Sequence, residues 1–184
     1  MLVRRPPSPD EQNAYYQAGA AVIARHYDIP VLRVALEGGS GAGSLPKLAP
    51  LELLCVKCQS SAKRTGLIES YVTTLLAASV GRLLHVEQCF GYQRQCNGQK
   101  HLERRAMLSA LHGDDPLSDR ACYLAFTQLT ACDGGDADAT VMRLWRQANR
   151  LLRAGPHCQF HQNLALSLMK SRELFVAEIL EAMD

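Results

Sequence analysis

Two hydrophobic periods alternate along the chain, and the places where one gives way to the other predict its elements. From Asp10 to about Tyr27, the residues Tyr15, Ala18, Val22 and Ile23 recur at helical spacing. This stretch predicts an amphipathic helix, with Asp10 as its cap and Glu11 favourable in its first turn. The run Ala18-Gly19-Ala20-Ala21 is small enough for a second helix to approach closely. Ile29 to Glu37 then alternates, with Leu32, Val34 and Leu36 to one side and Arg33 and Glu37 to the other, the period of a half-buried strand. Its best partner in the sequence is Leu51 to Val56. A two-stranded hairpin is marginal unless it packs on helices, and helix is the competing assignment for both segments.

The strongest helical signal runs from Ala62 to about Gln88, with Ser60 or Ser61 as cap. Leu67, Ile68, Tyr71, Val72, Leu75, Leu76, Leu83 and Val86 share one side of the helical wheel, which makes this segment the expected centre of the fold. Four helical patterns follow: Lys100 to Leu111, Ser118 to Cys132, Thr140 to Arg153 (stopped by Gly155-Pro156), and about Phe160 to Met183. The last has a narrow seam of Leu164, Leu168, Phe175 and Ile179. Short turns between long helices predict a mainly α, single-domain helical bundle of five or six helices over residues 10–184, with a minor β-hairpin near the N-terminus. Residues 1–9, with three prolines, two arginines and no period, read as a flexible tail. Residues 38–50 form a Gly/Pro-rich loop. It lacks the Gly-Lys-Ser/Thr ending of a phosphate loop, and Pro46 and Pro50 stand where an anion-binding helix would begin, so it reads as a linker.

At 184 residues and 47% hydrophobic, the chain can bury a sizeable core, and disorder of the whole is not expected. A net charge of +2 is too small to argue for nucleic acid without local clustering. The first residues lack the apolar run of a signal peptide, and no membrane span is expected. Seven cysteines without an export signal suit a cytoplasmic setting, where thiols serve more often as buried hydrophobes, metal ligands or redox groups than as disulfides.

Four of those cysteines flank the long helix as two pairs, Cys55/Cys58 and Cys89/Cys96. Structural zinc takes four thiolate or imidazole ligands, and His85, one turn before Cys89, is a substitute. Zinc is therefore the candidate cofactor. Geometry opposes it: a helix from Ala62 to Gln88 would be about 40 Å long, so both pairs reach one metal only if that segment bends or breaks. Burial as small hydrophobes is the plainer role. His157-Cys158-Gln159-Phe160-His161 sets two imidazoles four residues apart, without the glutamate of a metalloprotease motif; capping or a surface role is the plainer use. No serine sits in a Gly-x-Ser-x-Gly elbow, and nothing local nominates a catalytic residue.

Arg143, Arg146, Arg150 and Arg153 recur at spacings of three, four and three, a stripe opposite Val141, Trp145, Ala148 and Leu152. Arginine's planar fork suits phosphate. A second basic group, Lys100, Arg104 and Arg105, follows the Cys89/Cys96 loop, with Arg94 inside that loop. The stripe fits three uses: a solvated or intramolecularly paired face, a nucleic-acid surface, or a contact with an acidic protein surface. The expectation carried forward is a cytoplasmic, non-enzymatic helical regulator or adaptor that binds nucleic acid through this arginine face. It competes with a protein-interaction or assembly factor docking through its terminal helix, and with a metal- or thiol-dependent enzyme.

Overall fold

The computed structural model describes residues 6–36, 45–90 and 137–183. Within them the chain is mainly α, with six helices and a small antiparallel sheet. The order is α1 Pro9–His26, β1 Val31–Ala35, β2 Lys47–Leu48, α2 Leu51–Val56, α3 Ser61–Phe90, α4 Ala137–Arg153, α5 Gly155–Ser171, β3 Glu173–Phe175 and α6 Val176–Ala182. The helices expected over 100–111 and 118–132 lie outside the described residues, as does most of the 38–50 loop.

α1 begins one residue before Asp10, because Ser8 is its cap. Ser8 Oγ accepts from the Glu11 N–H at 3.1 Å, and the Glu11 carboxylate accepts from the Ser8 N–H at 2.6 Å. This reciprocal pair satisfies two donors that have no partner within the helix. Burial along α1 is wider than the expected stripe: every residue from Ala14 to Ala24 is buried. One of them is polar. Gln17 reaches β1, where its Oε1 accepts from the Ala35 N–H at 2.9 Å and its Nε2 donates to the Ala35 carbonyl.

α3 is the central helix. It packs against α1 and α4, and α1 packs in turn against α5. Ser60 caps it through the Lys63 N–H at 3.3 Å. From Tyr71 to Gly81 it is buried on all sides. Thr73 and Thr74 are included, because their hydroxyls donate back to the carbonyls of Glu69 at 2.7 Å and Ser70 at 2.9 Å. By length and composition Ser61–Cys89 could cross a membrane, but 72% of its apolar window is buried within this fold, as for a core helix.

Glycine decides how closely α1 and α3 meet. A Cβ on Gly81 would lie 2.6 Å from the Tyr15 carbonyl oxygen, 2.8 Å from His161 Nε2 and 3.0 Å from Gly19 Cα, and a Cβ on Gly19 would strike the Ala77 carbonyl oxygen. The helices therefore touch backbone to backbone, and Tyr16 and Ala20 of α1 pack with Ala78 of α3.

Two expectations are corrected. Leu51–Val56 is helix α2, not the partner strand. β1 is instead the middle strand of the order β2-β1-β3, paired with Lys47–Leu48 on one side and Glu173–Phe175 on the other. The expected final helix from Phe160 to Met183 is also broken. α5 starts earlier, with Pro156 in its first turn, and ends where Arg172 takes a left-handed backbone conformation, φ 68°. The tertiary fold holds that break: the Leu36 N–H donates to the Arg172 carbonyl at 2.7 Å, and the Arg172 side chain pairs with Asp10 of α1. Phe175, expected in the apolar seam, is 54% exposed.

Candidate functional site

The arginine stripe of α4 is tied to α3 at its two ends, although Arg143 stays exposed and Arg153 is half-buried. Val141, Leu144, Trp145, Ala148 and Leu152 are buried against α3 and its neighbours. That turns the edges of the stripe toward α3. Arg143 pairs with Glu69 of α3. Arg153 pairs with Glu87 of α3 at 2.8 Å and donates to Asn149 Oδ1 at 2.8 Å. Between these pairs, Gln147 Nε2 donates to the Tyr27 hydroxyl at 2.6 Å, joining α4 to the end of α1. Burial pushes the Tyr27 hydroxyl pKa up, while the bonds to Gln147 and Thr73 and the charge of Arg150 work against it. Arg146 and Arg150 are exposed. Arg94, Lys100, Arg104 and Arg105 lie outside the described residues.

The cysteines among the described residues do not gather. Cys55 sits in α2, half-buried on the edge of the core, and burial raises its thiol pKa. Cys58 follows α2, its Sγ 3.9 Å from the Leu54 carbonyl. Cys89 lies at the far end of α3, one turn after His85, with Sγ 3.6 Å from His85 Nε2. Cys96 is outside the described residues. α3 is one unbroken helix of 30 residues, about 45 Å at 1.5 Å per residue. Cys55/Cys58 and Cys89 are therefore held at opposite ends and cannot ligate a common ion. Among the described residues no three histidine, cysteine, aspartate or glutamate side chains are grouped to hold a metal.

The two histidines of the 157–161 motif go separate ways. His161 is buried at the α1/α3 crossing, its Nε2 3.0 Å from the Tyr15 carbonyl oxygen, and burial depresses its pKa to about 4. His157 stands edge-on to His26, ring centroids 5.0 Å apart. Burial lowers its pKa, and the neighbouring His26 adds to that. Tyr15 stacks on His85 with centroids 3.7 Å apart and meets His161 edge-on at 5.2 Å.

The break after α5 builds a feature that the periodicity did not suggest. α6 folds back beside the end of α1 and the start of β1. An apolar cleft of about 270 Å³ opens there, lined by Ala21, Ile29, Val31, Leu32, Ile179 and Leu180, with Arg25 and Asp28 at its polar end. Its floor is buried, with Ile29, Ile179 and Met183 each 3% exposed or less, while Leu32, Val176 and Leu180 stand 39%, 48% and 46% exposed around it. Asp28, at φ 55°, makes the turn that leads from α1 past the cleft into β1. No local sequence signal announces the cleft, because Arg172 is neither the glycine nor the asparagine that usually marks such a break.

No protein-family model matches the chain, and no curated protein matches it.

Proposed function

We propose that the protein is a helical docking module, an adaptor or assembly factor whose terminal helix and β1 form a cleft for apolar anchor side chains of a partner protein. The observation that carries this reading is the ring of exposed Leu32, Val176 and Leu180 around a buried apolar floor. Contiguous exposed apolar surface of this kind is uncommon unless something covers it. At about 270 Å³ the cleft lies just under the roughly 300–1,000 Å³ typical of small-molecule sites. It suits a few inserted side chains better than a cofactor, and such anchors dominate binding energy at protein interfaces.

Selection of a displayed helical-peptide library tests it. The expected outcome is enrichment of peptides with bulky apolar residues at helical spacing, which bind at least about tenfold more weakly to a Val176→Asp/Leu180→Asp variant of unchanged melting temperature; loss of one or two anchors costs more than about 1.4 kcal/mol. Selected peptides that bind both proteins alike would dispose of the reading.

Nucleic-acid binding is the second reading, favoured by the exposure of Arg146 and Arg150. Internal pairing of Arg143 and Arg153 leaves it a narrower surface than a four-arginine stripe. Duplex DNA affinity measured across salt, in wild type and Arg146→Glu/Arg150→Glu, tests it: phosphate contacts give a salt slope of about −0.9 each, and an identical slope in the two proteins would remove it.

A further inference from the structure

We infer that Cys89 is the electrophile-reactive thiol among the described cysteines, with His85 as its proton acceptor, and that it adds to α,β-unsaturated carbonyl compounds. This goes beyond the docking reading and does not depend on it. The geometry comes from one turn of α3. Residues four apart lie on one helical face, and here that brings Cys89 Sγ within 3.6 Å of His85 Nε2, hydrogen-bonding reach for a large sulfur atom.

The imidazole is held in place. Tyr15 of α1 stacks flat on it, 7° from parallel. Glu11, one helical turn before Tyr15, directs negative charge toward it, and burial outweighs that charge to keep its pKa below the usual value. A neutral imidazole at pH 7 has a free lone pair to take a proton. His161, the other histidine in this group, is occupied by the Tyr15 carbonyl. Glu87, between His85 and Cys89 in sequence, is paired with Arg153.

The other described thiols have no such base. Cys55 is pushed up by burial, Cys58 Sγ faces a backbone carbonyl, and Cys158 Sγ accepts from the Gln162 amide at 3.9 Å. Since the thiolate is the nucleophile, a thiol that can hand its proton to a neighbour as it attacks reacts faster. In the addition the sulfur bonds to the β-carbon and the carbon–carbon π bond breaks. The thiol proton passes to His85 Nε2 and is returned to the α-carbon. Nothing leaves, and nothing is oxidised or reduced.

The test uses the full chain and limiting N-ethylmaleimide, with each cysteine's adduct quantified by peptide mapping. Each rate is divided by the rate of the same thiol in the urea-unfolded chain. The expected result is a normalised rate for Cys89 at least about tenfold above those of Cys58 and Cys158, falling to within about twofold of Cys58 in His85→Gln. Wild type alone supplies a second measurement. Between pH 8 and 6.5 an ordinary thiol slows about tenfold per unit, whereas Cys89 is expected to slow distinctly less. A normalised Cys89 rate at or below that of Cys58, an ordinary pH profile, or an increase in Cys89 labelling on adding a chelator would each overturn the inference, the last in favour of a bound metal.

Discussion

The same substitution at two places on α3 should have opposite effects. Gly66 and Gly81 are both helical glycines, and replacing glycine by alanine inside a helix ordinarily gains about 0.5–1 kcal/mol of backbone entropy. At Gly66 nothing lies within 4 Å of an added Cβ, so Gly66→Ala should show that gain in full. At Gly81 the methyl group would stand 2.6 Å from the Tyr15 carbonyl oxygen and 2.8 Å from His161 Nε2. Two of the three neighbours, Tyr15 O and Gly19 Cα, are backbone atoms of α1, so relief requires that helix to move. Forcing a methylene-sized group into a packed contact costs about 1–3 kcal/mol. Displacing His161 from the Tyr15 carbonyl strands buried polar atoms at about 1–3 kcal/mol more. After the entropy gain, Gly81→Ala should destabilise by roughly 1–5 kcal/mol. Urea unfolding followed by far-ultraviolet circular dichroism measures both variants against wild type, with Gly66→Ala expected above it and Gly81→Ala well below. A Gly81→Ala midpoint at or above wild type would show that α1 and α3 do not meet backbone to backbone.

Burial holds the His161 imidazole at a pKa of about 4 against the usual 6.5. As pH falls the unfolded chain takes up this proton first, so stability should be flat above about pH 6.5, decline by about 1.4 kcal/mol per unit down to about pH 4, and level off below; a His161→Gln variant with the same decline would refute the assignment. Gln17→Leu should cost about 2–4 kcal/mol by thermal or urea unfolding, because it strands both the N–H and the carbonyl of Ala35; a neutral result would mean that water or another group replaces the amide. Arg153→Ala should destabilise more than Arg143→Ala, because Glu87 is 11% exposed and Glu69 28%. The expected costs are about 1–2 kcal/mol for the first and under about 1 for the second, and the reverse order would mean that Glu87 is solvated.

Much of the helical content was legible because it follows from local periodicity. α1, α3 and α4 stand within a few residues of where their apolar spacing and their Ser60 or Asp/Glu signals place them, and β1 follows from its alternation. What failed were choices between local alternatives of similar strength. Leu51–Val56 suits helix or strand equally well, and Lys47–Leu48 is too short to show a period at all. The break at Arg172 is enforced by partners distant in sequence, Leu36 and Asp10, so no window around residue 172 contains its cause. The arginine spacing correctly placed four guanidinium groups along one side of α4, but spacing could not say that Glu69 and Glu87 on another helix would take two of them. Of the cysteine set, the adjacency of His85 and Cys89 was readable from their separation of four, while the distance between the two pairs depended on α3 running unbroken.

By itself, then, the order of residues determined where the long helices and β1 form, and where glycine and alanine leave room for a neighbour. Those are properties of a few consecutive residues and their own backbone. Which faces meet, which charges are neutralised and where an apolar cleft stays open depend on groups separated by tens of residues. Only the packing of α1, α3 and α4 together, with α6 laid against β1, settles them, because an ion pair or a buried methyl group acquires its free energy from what lies against it.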